Sequence, residues 1–192
     1  MKINFRYSTP YDEMLSIMSG EELSHSQALI AKEYLEKVNE YWEKEGKKIS
    51  KEIEKVSGLK FNKDVEGFVV SEMAFEAISH PFTIKMCNDF NKLRGVLVHE
   101  LLHVLLVQNE VKVLNVVNQL KGDNNFKVHF PVLLCERKIL ENLYGNFKIE
   151  KRVEDLDEIW KEVNKVYPEF KKSGKNGFSF MREYASGRKI QA

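Results

Sequence analysis

Apolar and polar positions alternate strictly over Lys2–Ser8, with Ile3, Phe5 and Tyr7 set against Lys2, Asn4 and Arg6. A period of two predicts a half-buried strand. Thr9-Pro10, followed by Asp12 and Glu13, reads as a helix start: a capping side chain, proline in first position and acids in the first turn. The period then lengthens. Leu23, Ile30, Leu35, Val38 and Trp42 recur at three- and four-residue spacing. They predict a helix opened by a Ser19–Glu22 capping box and ended by the KEGKK run around Gly46. Ile49, Ile53 and Val56 mark another short helix, stopped at Ser57-Gly58. Two β-rich runs follow, Gly67–Glu72 and the alternating Phe82–Cys87, joined through Met73–Pro81.

The run Val96–Leu106, VLVHELLHVLL, has almost no solvent face and predicts a core helix, with Asn88, Asp89 and Asn91 offering caps before it. Glu110–Leu120 is helical by pattern, Lys121–Asn125 is a polar turn, and Pro131–Tyr144 is a further helix. Val153, Leu156, Trp160 and Val163 define another, ended near Pro168; Lys171–Ala192 reads as a basic, glycine-punctuated tail. The expected fold is α+β: a small antiparallel or mixed sheet packed against several helices. One domain is expected, with a strand and helices over 1–65, the sheet and two central helices over 66–145, and a C-terminal helix and tail over 146–192.

The core helix carries the chemistry. His99, Glu100 and His103 are spaced HExxH, so both imidazoles lie one turn apart on one face and can point at one ion. Buried polar groups without partners cost roughly 2–7 kcal/mol each, and a bound metal with its water satisfies all three side chains at once. Glu100 is then placed as general base toward that water. The flanks agree with the extended signature of zinc peptidases: Val96 stands three positions before the first histidine, and Leu101, Leu102 and Leu105 are uncharged.

Composition narrows the context. The chain has 192 residues, 43% of them hydrophobic and 31% charged, with a formal net charge of +1. That charge gives no reason to expect nucleic acid or an anionic membrane. Cys87 and Cys135 form no CxxC pair, the opening KINFRYS shows no apolar core of signal length, and the longest apolar run is too short to span a bilayer. A soluble, cytoplasmic protein is expected.

Catalytic zinc sites hold three protein ligands, so one is missing. The metzincin extension HExxHxxGxxH is absent, because Leu106 and Asn109 occupy its glycine and histidine positions. Glu110 lies two helical turns past His103, about 10 Å, too far to share the ion unless the helix breaks. Glu136 falls in the middle of an apolar stripe made by Val132, Leu133, Ile139, Leu140 and Leu143, where a carboxylate needs a cation or strong donor. His129, just before that helix, reads as a ligand in place of Glu136, an oxyanion donor, or a loop cap. Tyr144 is a lesser oxyanion candidate, and His25 and His80 read as ordinary.

HExxH with a downstream glutamate resembles the gluzincins, the thermolysin-like clan of zincin metallopeptidases, over roughly Gly67–Tyr144. The chain's size resembles the minimal soluble members of that clan. The resemblance implies zinc held by His99, His103 and Glu136, Glu100 as general base, and a peptide or protein substrate, while His129, by its position, is a candidate donor to the oxyanion. It also implies a sheet-edge strand pairing with the substrate backbone, a role that falls to Phe82–Cys87. One departure stands: the clan places an aspartate four residues after the ligand glutamate, and here that position is Leu140. The alternative is a catalytically silent or latent zincin-fold binding protein, blocked by the tail Lys171–Ala192 with Glu183 or a backbone carbonyl as an extra ligand.

Overall fold

The computed structural model describes residues 1–145 and 156–187. Among these the chain is α+β, with seven helices and a four-stranded mixed sheet. It divides into two compact units, Met1–Ser50 with Asn62–Val104, and Lys51–Phe61 with Leu105–Ala192.

In the first unit the sheet runs in the order β1-β2-β4-β3, from strands β1 (Ile3–Arg6), β2 (Val65–Val70), β3 (Ala77–Ser79) and β4 (Phe82–Lys85). β1 lies parallel to β2 and β2 parallel to β4; β3 is antiparallel to β4 and forms one edge. Gly67 is central to the packing. It pairs with Phe5 on one side and Phe82 on the other, whose rings lie 5.8 Å apart. A Cβ on Gly67 would come within 2.8 Å of the Phe5 ring, so only glycine lets the two aromatics close over the strand. The alternation predicted for β1 is present: Ile3 and Phe5 are buried, Asn4 and Arg6 exposed. β4 differs from expectation. Phe82, Thr83 and Ile84 are all buried, because the strand is interior. The edge expected at Phe82–Cys87 belongs instead to β3, hidden in what reads from sequence as a connection.

Helix α1 (Thr9–Met18) begins after Ser8 without a side-chain cap, with Pro10 in its first turn. It buries Leu15 against Val70 and Met73, beside Tyr11, Ala77 and Ile78. Its Asp12 is fully buried and accepts from the Ser71 backbone N–H (2.8 Å) and hydroxyl (2.9 Å), tying α1 to the end of β2.

Helix α2 (His25–Ser57) corrects two expectations. Its capping box is Ser24–Gln27, each side chain meeting the other's backbone N–H, rather than Ser19–Glu22. It also runs unbroken through Gly46, where the Trp42 indole lies so close that a Cβ would come within 2.5 Å of it. Gly46 serves side-chain packing there and not termination. The helix stops where predicted, at Ser57, with Gly58 at φ +79°.

Helix α3 (Phe90–Gln108) is the HExxH helix, and the residues Leu93, Val96, Leu97, Val98, Leu101, Leu102, Val104 and Leu105 are all buried. It ends at Asn109, whose side-chain amide donates to the Leu105 and Lys60 carbonyls (both 2.9 Å). Helix α4 (Glu110–Val117) starts anew, so Glu110 opens a separate helix as an exposed residue.

The second unit also holds α5 (Asn124–Tyr144), α6 (Asp157–Lys172) and α7 (Gly177–Ala185). α5 starts seven residues earlier than Pro131, because Asp123 accepts from the Phe126 N–H (2.7 Å) and Phe126 stacks on Phe130 at 4.9 Å. His129 therefore sits on the helix itself. Pro168 is likewise inside α6 rather than beyond it. The expected tail is helical to Ala185, with Phe180 and Met181 buried and Phe180 against Phe170 at 5.0 Å. Val153 and the last five positions of the expected tail lie outside the described residues.

Candidate metal centre

On α3, residues four apart bring the two histidines together as the spacing requires. His99 is buried at 8% exposure and His103 is half-buried, and their Nε2 atoms stand 3.1 Å apart. Two nitrogens bound tetrahedrally to one zinc at about 2.0–2.1 Å would be about 3.3 Å apart, so the pair fits a shared ion. Facing imidazole nitrogens otherwise satisfy each other only when one is protonated and the other is not.

Glu100 is next on the helix, turned about 100° from His99. It is half-buried, and its Oε2 accepts from the hydroxyl of Ser79 on β3 at 2.5 Å. One carboxylate oxygen is thus held by the sheet edge. A hydrogen bond to an ionised carboxylate is shorter and roughly twice as strong as a neutral one.

His129 is half-buried on α5, and its Nδ1 is 3.1 Å from the Asn125 carbonyl. A carbonyl only accepts, so Nδ1 carries the proton and Nε2 the lone pair, the arrangement a ligating histidine needs.

The other expected residues lie elsewhere in the chain. Glu136 is buried at 1% exposure, as its position in the apolar stripe predicts. It lies two turns along α5 from His129, about 10.5 Å of helix. Glu110 is on α4. Glu183 pairs with Lys175 at 2.5 Å. Tyr144 ends α5, and His25 and His80 are exposed. Ser79 escaped the sequence reading, since nothing in a primary structure links a serine to a glutamate 21 positions away.

No protein-family model matches the chain, and neither does any curated protein or solved structure. Among the described residues, no helix is long and apolar enough to cross a membrane.

Proposed function

We propose that the chain is a zinc-dependent peptidase of zincin type. The observation that carries this reading is the His99–His103 pair, with Nε2 atoms 3.1 Å apart and Glu100 beside them on one buried helix. Two residues of α5 are candidates for the third ligand: Glu136, on which the likeness to gluzincins rests, and His129, whose Nδ1 faces the Asn125 carbonyl and leaves Nε2 to bind.

When bound, zinc supplies Lewis acidity and makes water acidic enough to lose a proton near neutral pH. Glu100 accepts that proton through the oxygen Ser79 does not hold, and returns it to the leaving amine. β3 is a sheet edge, so an extended peptide could add to it as a further strand and bring its scissile carbonyl beside Glu100.

The test is metal content of the purified protein alongside three variants. About one zinc per chain is expected, lost in His103→Ala and in one of His129→Ala and Glu136→Ala, which names the third ligand. Zinc kept in His103→Ala would refute the shared site. Glu100→Gln should keep zinc and lose peptide hydrolysis by roughly 10²–10⁴-fold. Hydrolysis at the wild-type rate in a zinc-loaded Glu100→Gln protein would refute the mechanism.

A further inference from the structure

The hydrogen bond from Ser79 to Glu100 joins two elements of different kinds. Ser79 is the last residue of β3, paired through its backbone with Phe82 on interior strand β4. Glu100 is in the middle of α3. A glutamate side chain has three rotatable bonds, and its immobilisation costs side-chain entropy. A reacting carboxylate that must first be gathered into place meets that cost during the reaction; one already held meets it on folding.

The strand holding Ser79 is itself well supported. Ala77 and Ile78 pack against the cluster of Leu15, Val70 and Met73, and β4 continues the ladder inward. The bond is short, 2.5 Å, and made by one oxygen, Oε2. The second carboxylate oxygen is left to meet the proton.

We propose that Ser79 is a positioning residue for Glu100: it anchors one carboxylate oxygen to the sheet edge and aims the other at the reacting proton. This deepens the peptidase reading and rests on it. Because Ser79 sits on the strand that would receive the substrate, the same short segment sets both the peptide backbone and the general base. Loss of the hydroxyl should therefore lower turnover and leave substrate binding unchanged, since Ser79 acts through Glu100.

The experiment uses the full chain carrying isotope-labelled glutamate, with Ser79→Ala and Ser79→Thr beside the wild type. The Glu100 side-chain carboxyl resonance is identified by its loss in Glu100→Gln, and all spectra are taken at one pH. Ser79→Ala should shift that resonance, and Ser79→Thr, which restores a hydroxyl, should return it toward its wild-type position. Zinc content should be the same in all three. In peptide hydrolysis, Ser79→Ala should lose about tenfold in kcat with KM unchanged, and Ser79→Thr should recover most of it. An unmoved resonance in Ser79→Ala would overturn the contact. A moved resonance with wild-type kcat would overturn the positioning role while the peptidase reading stood. A zinc-loaded wild type that cleaves no peptide would overturn the peptidase reading, and the kinetic role with it, even where the resonance moved as expected.

Discussion

Replacing Asp12 with alanine should be one of the most damaging single changes in the first unit. Asp12 is fully buried, and Ser71, at 5% exposure, gives it two hydrogen bonds of 2.8 and 2.9 Å. Hydrogen bonds to a charged group contribute about 1.5–3 kcal/mol each, offset by the cost of burying the carboxylate. Asp12→Ala removes both and leaves the buried Ser71 N–H without its acceptor, a further cost of about 1–3 kcal/mol. A net loss of about 3 kcal/mol is expected. Asp12→Asn keeps an oxygen facing Ser71 and should lose about 1–2 kcal/mol; Ser71→Ala, which loses only the hydroxyl bond, about 1 kcal/mol. Urea unfolding followed by circular dichroism measures all three, with an unchanged slope showing that native and denatured states are otherwise alike. A second readout is Tyr7. Its phenol is pushed up to about 12, first by burial and then by the Asp12 carboxylate. Removing the carboxylate should let Tyr7 ionise at lower pH, seen in the ultraviolet difference spectrum. An Asp12→Ala protein within about 0.5 kcal/mol of wild type would refute the clamp. Asp12→Asn as damaging as Asp12→Ala would show that the charge, and not the acceptor, is what the fold uses.

Two further outcomes check other parts of the structure. Gly46→Ala gains about 1 kcal/mol of helix propensity but drives a methyl group into the Trp42 indole, an overpacking cost of about 1–3 kcal/mol. Thermal unfolding should show a net destabilisation; a more stable variant would mean that the indole does not lie over Gly46. Cys135 is buried at 5% exposure and burial pushes its thiol up to about 12, so it stays a protonated, shielded thiol at all ordinary pH values. At pH about 8, near the ordinary thiol value, iodoacetamide should label half-buried Cys87 in the native protein and reach Cys135 only after unfolding. Equal labelling of both would contradict that burial.

Much of the first unit was legible because its signals are local. Alternation marked β1, and an uninterrupted apolar run marked α3 with its histidine pair. Several errors share a cause: residues that usually end a helix lie here inside one. Gly46 makes room for Trp42, and Pro131 and Pro168 lie inside helices that neighbouring contacts carry past them. The early start of α5 depended on Asp123 and on the stacking of Phe126 on Phe130, both weak marks in a polar turn. That start moved His129, already a candidate ligand by sequence, from a loop to a helix. Glu136 was read correctly as a buried carboxylate, but burial alone does not say which group it faces. β3 is three residues long, too short to show a period of two, and with it the edge of the sheet and the Ser79 contact stayed hidden.

The two borders of the sheet have opposite characters. On β1, Asn4 and Arg6 are exposed and reach toward Glu66, Arg6 as an ion pair, so charge surrounds that border and discourages another strand from docking. On β3 the sequence is Ala77-Ile78-Ser79, which carries no charge at all. An uncharged edge strand is open to any extended chain, including a second copy of itself, and such edges are where native proteins begin to aggregate. Brevity is the safeguard: three residues offer few backbone hydrogen bonds, too few to hold a stranger that brings nothing else to the encounter. Lengthening β3 to tighten its grip on a ligand would thus trade selectivity for stickiness.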